Sequence, residues 1–188
     1  MKKIHILLAF NLFFISCKAQ QVCDITQYDV KIKDGRYYKD LNGILNPFIG
    51  VWKNTTGNKT FKVILWKEEK GDYNGFYMNE IRGDYEMIEN EGQPNETLLY
   101  KSKKIVDTQG NYYTPSIYLS GSSAFLQGFV DDNTNFHITS GYVAKGNLSF
   151  NIDPTTGKAH WKVTDKRELK DPSEGAITIP MDLIMTKH

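Results

Sequence analysis

The sequence predicts an all-β protein, an antiparallel sandwich or barrel of about ten short strands with little helix. Three observations carry this. Apolar and polar residues alternate with a period of two in segment after segment, as on a half-buried strand. Polar, glycine-containing turns separate those segments at a spacing of roughly 8–12 residues. No stretch sustains the 3.6-residue period of a helix, and only Leu41–Leu45 suits a single helical turn.

The N-terminus has another character. Lys2 and Lys3 precede Ile4–Ile15, which is apolar except for His5 and Asn11, and Ser16-Cys17 follows. A charged start, a short apolar run and a small residue before a cysteine form a secretory leader ending in a lipidation site. The Cys17 thiol would take a diacylglycerol and become the mature N-terminus. The run is too short to span a bilayer stably, so residues 1–16 are expected as a removed signal peptide. The competing reading is cleavage after Ala19, with Cys17 and Ala19 as the small residues before the cut. The first reading predicts a lipid-anchored protein of the cell envelope, at the outer membrane. The second predicts a periplasmic or secreted one.

Past the leader, Lys18–Gln27 is polar. Tyr28, Val30 and Ile32 alternate with Asp29, Lys31 and Lys33, which predicts a short strand or extended arm ending at an Asp34-Gly35 turn. Residues 17–42 are therefore expected as a lipidated tether and N-terminal arm. Residues 43–188 are expected as one β-domain, with Pro47 and Gly50 framing its entrance. Thr60–Lys67 places Phe61, Val63 and Leu65 on one face and Lys62, Ile64 and Trp66 on the other. Glu69–Asp72 is a turn. Tyr73–Arg82 and Asp84–Glu89 are the next extended pieces, with Gly83 as a bulge or break between them. Glu91–Asn95 closes that hairpin. Leu98–Val106, Ser116–Leu119, Ala124–Val130 and Phe136–Ala144 follow as strands. Leu148, Phe150 and Ile152 alternate with polar neighbours before an Asp153–Gly157 turn, and His160–Thr164 and Asp182–Thr186 finish the sheet.

A chain of 188 residues is long enough for one domain with a real core. Removing residues 1–16 takes away two lysines and no acid. That leaves 21 basic against 22 acidic side chains and a net charge of −1. A nucleic-acid binder would show a positive excess on one face, so no nucleic-acid partner is expected. No second apolar run is long enough to cross a membrane. The chain has two cysteines, and either processing route leaves Cys23 without a partner in the monomer, so no internal disulfide is expected. An inert cysteine in the tether explains Cys23 as readily as a second acylation site or an intermolecular bridge.

Asn46–Trp52 carries Gly50-Val51-Trp52 at the start of the first strand of the domain. This resembles the first motif of the lipocalins and the wider calycin superfamily. The resemblance implies a single antiparallel meander barrel. It also implies that Trp52 closes the barrel floor with an arginine from near the last strand packed across it, and Arg167 is that partner by position. Phe48–Lys53, Thr60–Leu65, Gly83–Asn90 and Ile179–Lys187, together with the leader ending Ser16-Cys17-Lys18-Ala19-Gln20, resemble an uncharacterised family of small Bacteroidota-type envelope lipoproteins. That resemblance spans nearly the whole mature chain. It implies an address and a single-domain fold, and no activity.

Catalytic and metal chemistry find little support. His137, His160 and His188 have no paired spacing. Asp131, Asn133 and Asn135 imitate the first ligands of a calcium loop, but Phe136 stands where its glycine is required and Tyr142 where its closing glutamate would be. Asp131–Asn135 is expected as a hairpin turn, since Asp and Asn favour turns. Gly121-Ser122-Ser123 lacks the flanking glycines of a nucleophile elbow. Gly57-Asn58-Lys59-Thr60 ends like a phosphate loop but precedes a strand. Asp84 and Glu86 share a strand face, which is a conceivable carboxylate pair and more commonly a solvated surface. No catalytic residue, metal or cofactor is expected.

The aromatics remain, with eleven Tyr, ten Phe and three Trp in the chain. Most are expected in the core. A barrel of this size has room for side chains and one small ligand. Phe61, Val63, Leu65, Leu148, Phe150 and Ile152 are the inward residues that would line such a space. Three functions are open, and an enzyme such as a hydrolase ranks last because no catalytic constellation is present. A hollow barrel would carry a small hydrophobic ligand. A filled barrel would act as a structural or interaction module, meeting another envelope protein through its surface.

Overall fold

The computed structural model describes residues 20–27, 35–102, 105–106, 112–113, 115–122, 124–137, 142–165 and 177–188. The strands are β1 (Val22–Asp24), β2 (Tyr37–Lys39), β3 (Gly50–Thr56), β4 (Lys59–Asp72), β5 (Tyr77–Glu89), β6 (Thr97–Lys101), β7 (Ile105–Val106), β8 (Tyr112–Tyr113), β9 (Ile117–Ser122), β10 (Phe125–His137), β11 (Tyr142–Ile152), β12 (Ala159–Asp165) and β13 (Asp182–Lys187). Single 3₁₀ turns at Ile25–Gln27 and Asn46–Phe48 are the helical pieces among these residues.

Eight strands close into an antiparallel barrel in the order β3-β4-β5-β9-β10-β11-β12-β13. β13 returns to β3 through Thr186 opposite Lys53 and Lys187 opposite Trp52. β5 meets β9 through Ile81 opposite Leu119 and Gly83 opposite Ile117. Spatial order follows chain order, so the barrel is a meander with one insertion that carries β6, β7 and β8. β6 pairs with the far end of β5, at Glu86–Glu89, beyond the stretch that β9 occupies.

Strand parity builds the core. Phe61, Val63 and Leu65 of β4 face inward and are buried, while Ile64 between them is exposed. Met87, Tyr85 and Gly83 of β5 lie opposite these three. Gly83 is not the expected bulge. β5 runs through it unbroken, and a Cβ there would meet Leu65 Cδ2 at 2.5 Å, so the missing side chain lets Leu65 and Ile117 close together. The irregularity falls instead on β4, between Glu68 and Gly71. Nor is Asp131–Asn135 a hairpin turn. It lies within β10, where pairing with β11 slips between Asp132 and His137.

The interior is ring packed on ring. Trp52 meets Phe150 edge-on with centroids 5.2 Å apart, and Phe61 meets Trp161 at 5.5 Å and Tyr85 at 6.0 Å. Each such buried side chain contributes on the order of 1.5–3 kcal/mol through removal from water. Outward positions are mixed, with charge as in the Lys62–Glu86 ion pair of β4 and β5 beside exposed Ile64 and Phe129. A membrane-spanning barrel has the reverse polarity, apolar outside and polar within. No helix among the described residues is long and apolar enough to cross a membrane.

The arm is part of the folded body over its described residues. β1 and β2 pair in parallel, and β2 continues in parallel onto β5. Ile25, Tyr37 and Tyr38 are buried. Asp40 accepts hydrogen bonds from the Ile44 and Leu45 amides at 2.7 and 3.2 Å, which shapes the turn that brings Leu45 and Phe48 into the core. The expected arm strand at Tyr28–Lys33 lies outside the described residues.

Candidate binding site on the barrel wall

The sequence places six residues on the inward faces. Phe61, Val63, Leu65, Leu148 and Phe150 are all buried there, and Ile152 is half-buried at the end of β11. Phe150 touches Phe48, Trp52 and Trp161, whereas Ile152 and Leu148 each border an open depression.

Trp52 sits at the barrel end closed by the Asn46–Phe48 turn. Its Nε1 donates to the Phe48 carbonyl at 2.8 Å. Gly50, two residues earlier, has φ of 130°, a conformation that favours glycine. A Cβ on it would stand 3.1 Å from Lys187 Cε. The Lys187 ammonium lies 5.5 Å from the Trp52 ring centroid and donates to the Pro47 carbonyl at 2.8 Å. Arg167, the expected partner of Trp52, lies outside the described residues, as does Cys17. Among the described residues the cation over the indole is Lys187, from the last strand itself.

Open depressions lie on the outer wall. One of about 290 Å³ is lined by Tyr73, Arg82, Tyr118, Ser120, Gln127 and Phe129, among others. A neighbour of about 580 Å³ is lined by Phe125, Gln127, Asn147, Ser149, Lys162 and Thr164. The two share Gln127 and Gly128. A third, of about 380 Å³, lies apart from these around Asn151, Asp153 and His160.

Strand pairing explains the shared wall. One cross-strand row runs Trp66, Arg82, Tyr118, Phe129, Asn147, Thr164 over β4, β5, β9, β10, β11 and β12. The adjacent row runs Ser120, Gln127, Ser149, Lys162 over β9 to β12. Three of the six residues in the first row are aromatic, and the second carries two hydroxyls, an amide and the Lys162 ammonium. Both lie on the face opposite Ile117, Leu119, Leu148 and Val163, which are buried.

The aromatic row is stacked. The Arg82 guanidinium lies 3.9 Å from the Tyr118 centroid, and the Tyr118 and Phe129 rings are near-parallel at 4.7 Å. The Lys145 ammonium lies 5.0 Å from the Phe129 ring. The charges have partners. Arg82 is ion-paired to Glu80, which is 1% exposed and also accepts from the Tyr73 hydroxyl. Lys145 lies 3.5 Å from Asp131. Burial pushes the Asp131 carboxyl up, against the opposing pull of Lys145. Burial also pushes the Tyr118 phenol up, with Arg82 acting the other way. The Arg82 Nε is buried and has no hydrogen-bond partner among the described residues.

Such a wall is an outward-facing surface of mixed character. It offers flat rings, amides and hydroxyls. Among the described residues no group of three His, Cys, Asp or Glu side chains converges as metal ligands do. Residue type alone assigns Tyr73, Tyr118, Phe125 and Phe129 mostly to the core. The structure leaves Tyr73, Phe125 and Phe129 exposed and Tyr118 half-buried. The available signal is parity: Tyr118 stands between Ile117 and Leu119, so its ring must point away from theirs. No curated protein and no solved structure matches this chain. Residues 1–188 match the family of unknown function DUF6705 over the full chain, and the protein belongs to that family.

Proposed function

We propose that this protein is a lipid-anchored binding module of the cell envelope, a solid-cored barrel that engages its ligand on the outer wall. The observation that carries this reading is the contrast between inside and outside. The inward residues that would line a hydrophobic-ligand space are packed ring against ring. The two adjoining depressions open outward and share Gln127 and Gly128. Support for the anchor comes from the leader, with Lys2 and Lys3, the apolar run and Ser16-Cys17 in sequence. Four residues, Lys18 to Gln21, separate Cys17 from β1, so the lipid would hold the barrel near the membrane surface.

Native mass spectrometry of the protein extracted from its own membrane tests both halves. The expected spectrum shows a diacylglyceryl adduct on Cys17 and no retained apolar molecule. Cys17→Ala is expected to lose the adduct and leave the membrane fraction. An apolar ligand that is retained by wild type and lost in Phe150→Leu would restore the hollow-barrel reading.

A further inference from the structure

We infer that the tip of the β4–β5 ribbon, with Val22 of β1 beside it, faces the membrane and rests in the headgroup layer of a phospholipid bilayer. This rests on the reading of Cys17 as a lipid anchor and names the surface that the anchor brings to the membrane.

Chain length and strand direction carry it. β1, β2 and β5 run parallel, with Val22 opposite Tyr37 and Tyr37 opposite Tyr77. The Tyr37 amide donates to the Gln21 carbonyl, and the Gly35 amide to the Gly75 carbonyl. Gln21 therefore lies two strands from the start of β5, at the end of the barrel where Tyr73–Phe76 joins β4 to β5. Neighbouring strands are about 4.8 Å apart, which puts Gln21 about 10 Å from Tyr77. Cys17 precedes Gln21 by four residues, and such a stretch reaches at most about 14 Å. β5 is 13 residues long, so the Glu91–Asn95 turn at its other end is about 40 Å away along the strand. A lipid on Cys17 is tethered to the ribbon tip and falls far short of the opposite end.

The tip has the chemistry of a bilayer boundary. Val22 is 51% exposed and Tyr73 37%. Tyr73 stacks on Phe76 with centroids 5.2 Å apart, and its hydroxyl donates to the buried Glu80, so the ring is fixed while part of it stays in solvent. The Lys70 ammonium lies 5.0 Å from the Tyr77 ring. Tyrosine and lysine each carry an apolar body and a polar end, and both suit the level where acyl chains meet headgroups. Val22 and Tyr73 alone would bind a membrane weakly. On a protein that a lipid already holds at the surface, weak contacts of this kind are enough to orient it, because the second contact is intramolecular. Leu98 and Leu99 are exposed too, but they lie on β6, which pairs with the far end of β5 beyond reach of the tether.

The test is fluorescence of the lipidated protein on phosphatidylcholine vesicles whose acyl chains carry bromine, which quenches an indole that enters the bilayer. Val22→Trp and Asn95→Trp place an added indole at the two ends of the molecule, both at exposed positions. The emission added by Val22→Trp is expected to be lost on brominated vesicles, and the emission added by Asn95→Trp to be kept. Wild type is expected to be unquenched, since Trp52 and Trp161 are buried and Trp66 lies on the wall. Without any substitution at the tip, hydrogen exchange at Asn74 and Gly75 is expected to slow on plain vesicles relative to Cys17→Ala protein in solution. Loss of the Asn95→Trp emission, emission kept by both variants, or unchanged exchange at the tip would overturn the inference. So would quenching of wild type, because it means that the barrel lies on its side with Trp66 against the bilayer. The mass spectrum separates the two failures. A diacylglyceryl adduct on Cys17 with Val22→Trp unquenched would sink only the orientation, and a protein without the adduct would sink the anchor with it.

Discussion

Trp52 fills the barrel floor and satisfies its own polar atom in the same place. The ring packs on Phe150, its Nε1 bonds the Phe48 carbonyl, and Lys187 covers it from the last strand. Trp52→Ala would open a cavity and orphan that carbonyl. It is expected to cost about 3–5 kcal/mol, read as a lower denaturant midpoint at unchanged slope. Tyr100 gives a pH prediction. Burial, and then the charge of Asp132, push its phenol up to about 12. In the unfolded chain a phenol ionises near pH ~10. Between those values the unfolded chain releases its proton first, so ionisation pulls the equilibrium toward unfolding. Stability is therefore expected to fall as pH rises through that window, and Tyr100→Phe is expected to flatten this part of the curve. An alkaline unfolding series on the two proteins checks it.

At the scale of elements, the 177–179 segment is pinned to β10 by one buried carboxylate. Asp132 accepts from the Thr178 amide at 2.6 Å, the Thr178 hydroxyl at 2.9 Å and the Thr134 hydroxyl at 2.6 Å. A buried donor left without its acceptor costs about 1–3 kcal/mol. Asp132→Ala is expected to destabilise by at least that much and to speed amide exchange at Thr178, which hydrogen-exchange mass spectrometry would detect. The same element shows where sequence reasoning runs out. Asp131–Asn135 has turn composition, and its role in a bent strand depends on Thr178, 46 residues beyond Asp132. β11 and the first part of β4 are legible because apolar residues recur at every second position, but Glu69–Asp72, expected as a turn, is the end of β4. β5 reads as two pieces because Gly83 looks like a break in one dimension. Its use as space for Leu65 and Ile117 exists only once three strands are paired. The arm's packing against β5 is hidden for the same reason.

For the whole molecule, the all-β class and the polarity of the strands are readable from alternation. The meander barrel that the Gly50-Val51-Trp52 resemblance implies is the one formed, though alternation alone does not show its closure. Closure rests on β13 meeting β3 and β5 meeting β9, contacts with no local signature. The wall is half-readable. Alternation sets Trp66 on an outer face, yet residue type alone sends its row-mates Tyr118 and Phe129 to the core. In the folded barrel the rings inside fill the core, and Tyr118 and Phe129 stack on the outer wall. Equilibrium unfolding of Phe150→Ala beside Phe129→Ala tests this division most directly. The fold predicts a loss of about 3–5 kcal/mol for the buried Phe150 and less than about 1 kcal/mol for the exposed Phe129. Equal midpoints for the two variants, or a Phe150→Ala protein as stable as wild type, would contradict it.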